Sequence, residues 1–555
     1  MVWCIFSDQF SSQLFVYQRL QCTTHLRNKP YFLIPHRHSD REVSPHPHNH
    51  RYDMTIREEL LDESISKPIN DVNPVVAIPY SNSVHSIALT RGPRWLFTGG
   101  EDGLIRKFDF FQSVQGKSLL TVSQKHSLVD SIQFNGVLCS YWENEIPYYK
   151  SELKDAATSG ANGSKKKGGA GDAGQFFEPK LSPVYSLCAD NNGYWLLSGL
   201  STGAITLQSV RSSEGSIQWY FPHGKDKIIK DDDSRYYHTS AVSCLVTNTE
   251  QTNFLSGSWD GKVLKWDLNT GKNMNVFDKS TSGGQISAVQ YRPSIGTDFH
   301  WEGIEEPEED DDMDSLFADD DDDNDNDNDN ENENDNDNDE EGKIDKKDED
   351  GKREYVPGSE EGPARDIRKL QRDAMQTGMY EGVRNSDDIF LSASIDGAIT
   401  VWDSRLSSNA NCVVKIPPPT STPPWCMSAT WSVDGDTIFV GRRNSSIEAF
   451  DLRNPTVVNK TLRFPVESGN VSCVRTMPNS DYLLCGCHDN IRLYDLKNEQ
   501  RGSRSTVPFS IVAGHHGGVV SEMWVDPTCR FLISASGNRG WQGRAADFLF
   551  VYEFV

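Results

Sequence analysis

The sequence predicts an all-β protein, a single closed ring of seven similar antiparallel units. Two observations carry that prediction: a strand–turn–strand pattern that recurs seven times, and a regular spacing between the copies. Each copy is an apolar strand, a polar turn, a small-residue strand, a tight turn and an alternating strand that ends aromatic-Asp. The clearest is FLSGSWDGKVLKWD at residues 254–267. Others stand at 96–109, 196–209, 390–403, 438–451 and 483–495, and the seventh is split between 531–538 and 548–554. The tight turns centre on Asp102, Thr202, Asp260, Asp396, Asn444, Asp489 and Asn538, the last four 48, 45 and 49 residues apart. Asp-Gly recurs in the turns because glycine tolerates the positive φ of a two-residue hairpin.

Charge separates body from insertion. The 555 residues carry 55 Lys+Arg against 81 Asp+Glu, a net of −26. Residues 305–350 hold 27 acids and 3 lysines, a net of −24, which leaves 54 acids facing 52 bases elsewhere. The chain is therefore a nearly neutral body with one anionic segment. Such a segment repels nucleic acid and attracts basic protein surfaces, so no direct sequence-specific nucleic-acid binding is expected. No run approaches 18 apolar residues, so no helical membrane span and no membrane partner are expected. The opening MVWCIFSDQF is broken by Asp8 and does not read as a signal peptide. Eleven cysteines show no metal-type spacing, and Cys188, Cys244 and Cys473 sit in apolar runs. That usage points to a reducing compartment, cytosol or nucleus.

The repeats resemble the WD40 family over residues 73–555, which implies a single seven-bladed β-propeller. In that family an Asp, a His, a Ser/Thr and a Trp form a hydrogen-bonded network within a blade. His238, Ser256, Asp260 and Trp266 match it in blade three. Elsewhere the pattern is eroded: Thr202 replaces Asp, Phe108, Phe450 and Tyr494 replace Trp, and blade seven has His515 but Asn538. The seventh copy runs out after its third strand. Residues 75–78, within PVVAIP, have the composition to supply the missing outer strand and close the ring, removing exposed sheet edges.

Outside the blades, residues 1–72 read as an extension, largely disordered, with a short helix near 55–65. Its His36, His38, His46, His48 and His50 read as tail rather than metal site. Residues 150–180 form a flexible Gly/Ala/Ser-rich insertion with Lys165, Lys166 and Lys167. Residues 294–387 form an acidic, disordered insertion in blade four. A helix near 363–378 within it has Ile367, Leu370, Ala374 and Met375 on one stripe.

Catalysis finds no foothold. There is no Walker A loop, HExxH or paired CxxC, so no catalytic residue, metal ligand or cofactor is assigned. Gly199-Leu200-Ser201-Thr202-Gly203 matches the GxSxG elbow of hydrolases, but it precedes a β pattern where an elbow needs a helix. A binding role shifts attention to the residue before each turn, which projects onto one rim. Those residues are Glu101, Ser201, Trp259, Ile395, Arg443 and His488, with Arg442 as an added donor. Trp259 stands out, since large aromatics dominate binding hot spots.

After blade one, residues 137–145 read VLCSYWENE, which departs from the WD pattern. With the insertion layout and the blade-four helix, this stretch is similar to the WD-repeat subunit of the SAGA transcriptional coactivator, of the fungal suppressor-of-Ty class. The resemblance implies a nuclear, non-enzymatic interaction subunit that binds TATA-binding protein and regulates its delivery to promoters, beside other coactivator subunits. Two other readings stay open. Trp402-Asp403-Ser404-Arg405 matches the WDxR box of substrate receptors of cullin-type ubiquitin ligases, and the acidic segment suits a histone-binding chromatin factor.

Overall fold

The computed structural model describes residues 71–125, 132–147, 180–226, 231–278, 284–294, 385–407, 411–497, 509–515, 518–537 and 548–555, with a short strand pair near the start and a few isolated positions. The expected helices near 55–65 and 363–378, the five histidines, all but the end residues of both insertions and the Asn538 turn lie outside those residues.

Every repeat forms a four-stranded antiparallel sheet, seven in all. Blade three shows the pattern: Val242–Thr247, Asn253–Ser258, Val263–Asp267 and Asn273–Phe277, inner strand to outer. The sheets fall at 84–143, 187–221, 242–277, 286–416, 429–463 and 471–512, with the seventh at 520–554. The second strands are almost wholly buried, so they read as continuous apolar and small residues. Core layers lie between adjacent blades. Leu197, Ile205 and Phe221 of blade two meet Val242, Leu245, Phe254 and Trp266 of blade three. The contact repeats in form: Phe221 meets Phe254 edge-on at 5.1 Å, and Phe277 meets Phe390 edge-on at 4.9 Å. Edge-to-face pairs of this kind add about 0.5–1.5 kcal/mol to the area they bury.

One serine per blade lines the axial channel: Ser86, Ser186, Ser243, Ser287, Ser428, Ser472 and Ser521. Their hydroxyls stitch each blade to the next. Ser186 Oγ donates to Val242 O at 2.9 Å, Ser243 Oγ to Ile286 O at 2.6 Å, and Ser287 Oγ to Cys426 O at 2.9 Å. Ser472 Oγ reaches Val520 O at 2.8 Å, and Ser521 Oγ crosses to Val84 O of blade one at 2.6 Å. A small polar side chain fits here because the inner strands converge, leaving little room near the axis. Farther out, Lys107 and Lys265 hold equivalent places before the aromatic-Asp. Both are buried, and each reaches the next blade: Lys107 Nζ to Val210 O at 2.9 Å, Lys265 Nζ to Asp387 O at 3.0 Å.

The closing strand is where the sequence places it, though longer. Val72–Pro79 pairs antiparallel with Phe548–Phe554, from Val72↔Phe554 to Pro79↔Phe548, with a register shift between Pro74 and Val76. Proline is tolerated because this is an outer strand. Its free edge is then partly covered. The connection between the third and fourth strands of blade one folds back, and Ala77 N–H donates to Phe134 O at 3.0 Å. Blade four likewise resumes slightly earlier than expected, at Asn385.

Candidate interaction surface

In blade three the four residues singled out converge. Trp266 Nε1 donates to Ser256 Oγ at 2.8 Å, and His238 Nε2 lies 2.8 Å from the same oxygen. His238 Nδ1 sits 3.2 Å from Asp260, whose carboxylate also accepts from Thr239 N and Lys262 N. Burial pushes the Asp260 carboxyl up, but the His238 contact and the two backbone N–H donors outweigh it, and the group titrates below the usual range. The ionised form thus favours the folded state. Its stabilisation is complete above about pH 4 and fades as pH falls through the depressed folded value. Urea midpoints between about pH 3 and pH 6 should therefore show Asp260→Asn differing most from the parent at the upper end, with the gap closing on acidification. A gap that widens on acidification contradicts this assignment.

Eroded blades rebuild the same function with other residues. In blade two, Gln208 holds the place of Trp266 and Ser198 that of Ser256. Trp142 Nε1 donates to Gln208 Oε1 at 2.7 Å, and Ser198 Oγ donates to Asn144 Oδ1 at 3.0 Å. Trp142 and Asn144 come from the VLCSYWENE stretch, whose first seven residues form the outer strand of blade one. That stretch is a substitute tetrad reaching across a blade boundary. Blades one and six use arginine: Arg106 meets Asp102 at 2.5 Å, and Arg492 meets Asp489 at 2.8 Å and Ser468 Oγ at 2.7 Å.

Blade five corrects one expectation. Arg442 is not a rim donor: its side chain is completely buried. Nε donates to Glu448 Oε2 at 2.7 Å and Nη1 to Gly397 O of blade four at 2.8 Å. Glu448 is buried too, and its other oxygen accepts from Thr422 Oγ1 at 2.7 Å. The neighbouring Arg443 is exposed.

The remaining rim residues reach the surface unequally. Glu101 is exposed, while Ser201, Trp259, Ile395 and His488 are half-buried. Ser201 lies in a tight hairpin turn between two strands, as its β context implied. Trp259 packs on the blade before it, 4.8 Å from the Tyr185 ring, which stacks on His85 at 5.3 Å. Ile395 packs against Trp425, Met427 and Val519. Sequence reasoning passed over His85, Tyr185 and Met427. A signal existed: each directly precedes one of the axial serines. The axial cavity, about 80 Å³, suits waters and is far below the ~300 Å³ at which small-molecule pockets begin. The surface thus offers an aromatic row and an apolar cluster with charged residues around them, a layout suited to a macromolecule.

The family model described as the SPT8 beta propeller matches residues 70–555. The chain belongs to this SPT8 beta-propeller family. It is 40% identical over 492 residues to the SAGA complex subunit SPT8 of Saccharomyces cerevisiae, covering 87% of this chain and 72% of that one. It is 37% identical over 498 residues to the SAGA complex subunit Spt8 of Schizosaccharomyces pombe, covering 90% and 82%. In this SPT8-family propeller the WDxR residues are held locally. Arg405 Nε and Nη2 donate to the buried Asp403 at 3.0 and 2.7 Å, while the Arg405 side chain stays largely exposed. The nine described cysteines are free, and five of them are buried.

Proposed function

We propose that this chain is a non-enzymatic interaction subunit of a SAGA-type transcriptional coactivator, acting in the nucleus, that binds TATA-binding protein and regulates its delivery to promoters. One observation carries the reading: two relatives, 40% and 37% identical over most of each chain, are SAGA complex subunits. The anionic segment supports a mechanism. A protein that grips DNA offers a basic face, and the net −24 of residues 305–350 supplies carboxylates to occupy that face until DNA displaces them. The aromatic row of Tyr185 and Trp259 adds a desolvated anchor of the sort that dominates interface energy.

Titrating TATA-binding protein onto the full chain and onto a deletion of 305–350, at several salt concentrations, tests this. The deletion should weaken binding about tenfold or more at low salt and flatten its salt dependence, since surface charges are screened within ~8–10 Å at physiological ionic strength. Equal affinity and equal slope would exclude the electrostatic mechanism. Failure of both forms to bind would exclude the partner.

A further inference from the structure

We propose that Thr422 is a phosphorylation site for a proline-directed kinase and that Arg442 receives the added phosphate. The inference is independent of the partner argued above. The connection from blade four to blade five reads Pro417-Pro418-Pro419-Thr420-Ser421-Thr422-Pro423-Pro424. Thr422 is the one hydroxyl residue in it that is followed directly by proline. Pro417, Thr420, Ser421, Pro423 and Pro424 are exposed, so the segment lies on the surface. Residues 417–428 take no part in the strand pairing on either side. Five prolines deprive the loop of backbone donors. Thr422 itself is buried, tied down by its N–H to Pro419 O at 2.9 Å and by its hydroxyl to Glu448 at 2.7 Å, so the loop must open before a kinase reaches it. Opening those two bonds presents Thr-Pro without disturbing a sheet.

The second observation is Arg442. Nε and Nη1 are engaged, but Nη2 is buried with no acceptor among the described residues. Leaving a buried donor of a charged group unmet is costly, so Nη2 favours any acceptor brought within its reach. Nε and Nη2 share one edge of the planar guanidinium, the edge turned to Glu448, the same carboxylate that Thr422 meets. A phosphoryl group there brings three acceptor oxygens and a charge of about −1.5 to −2. It fits the fork geometry that arginine offers phosphate, and its charge repels the Glu448 carboxylate from that fork. In the transfer, Thr422 Oγ1 attacks the γ-phosphorus of ATP and the bond from that phosphorus to the β,γ-bridging oxygen breaks. ADP leaves, and the hydroxyl proton passes to the base of the kinase.

The test incubates the full chain, and separately a peptide of residues 417–425, with ATP and a proline-directed kinase, and maps phosphate by mass spectrometry. Phosphate should appear on Thr422 in both, and Thr422→Ala should lose it. In phosphorus NMR, the phosphothreonine should titrate about one pH unit lower in the folded chain than in urea, because the guanidinium favours the dianion. Modification of the peptide but not of the folded chain would overturn the site, as would modification of neither. Identical titration in folded and unfolded chains would remove Arg442 as the receptor.

Discussion

Deleting residues 548–555 should unfold the whole ring rather than trim one blade. Strand Phe548–Phe554 is the third of blade seven and pairs on both sides, with Phe531–Ser536 and with Val72–Pro79. Its Leu549, Phe550, Val551 and Tyr552 are all buried. At about 1.5–3 kcal/mol for each such side chain, their removal costs on the order of 6–12 kcal/mol. That is comparable with the ~5–15 kcal/mol by which domains are stable at all. The loss also propagates. Among the described residues Val72–Pro79 has no other strand partner, and Val76 and Ile78 belong to a cluster that includes Ile87, Leu96 and Phe108 of blade one. The two ends of the ring thus share one core. Circular dichroism melts and size-exclusion profiles would check this. The truncated chain should show no cooperative transition, and deletion of 72–79 should behave alike. A truncated chain that melts cooperatively within a few degrees of the parent would contradict closure by this strand.

Arg442→Met should be the most damaging single substitution of a charged residue. Among the described residues it leaves Glu448 buried with only the Thr422 hydroxyl for company. Breaking a buried pair by removing one partner costs about 3–5 kcal/mol, because the remaining charge is uncompensated. The defect should depend on pH in a definite sense. Without the guanidinium, the buried Glu448 carboxylate has no cation beside it, so taking up a proton relieves the folded variant. Its stability therefore rises as pH falls toward the unfolded value of about 4.3, and the gap from the parent narrows. Arg442→Met combined with Glu448→Gln should recover most of the loss at neutral pH. Urea unfolding of the three proteins at pH 7 and pH 5 reads all of this. A cost below about 1 kcal/mol for Arg442→Met would show that the pair is dispensable.

Blade boundaries and ring closure were legible because both rest on local patterns. Strand periodicity and turn residues act over a few positions, and a seventh copy lacking its outer strand calls for a partner with strand composition. The blade-three network was legible for the same reason, since each member sits at its expected place in the repeat. The blade-two network was not. Trp142 and Gln208 stand 66 residues apart, and neither matches the pattern it replaces. Their pairing follows from the meeting of two blades, which no local rule describes. Arg442 shows a second limit. Repeat position places it beside the rim, but whether the side chain points out or folds under depends on Glu448 across the hairpin and Gly397 in the blade before. Those partners become adjacent only once the ring has formed. The axial serines stand one per blade, each with an apolar residue at one of the two positions before it, but their contacts depend on how closely the inner strands approach.

The most direct test of the functional account is affinity purification of the tagged full chain from its native cells, with the bound proteins identified by mass spectrometry. Coactivator subunits of the SAGA type, recovered in near-stoichiometric amounts with TATA-binding protein among them, are the predicted result. Recovery of a cullin-ligase adaptor, or of histones alone, with those subunits absent, would contradict it.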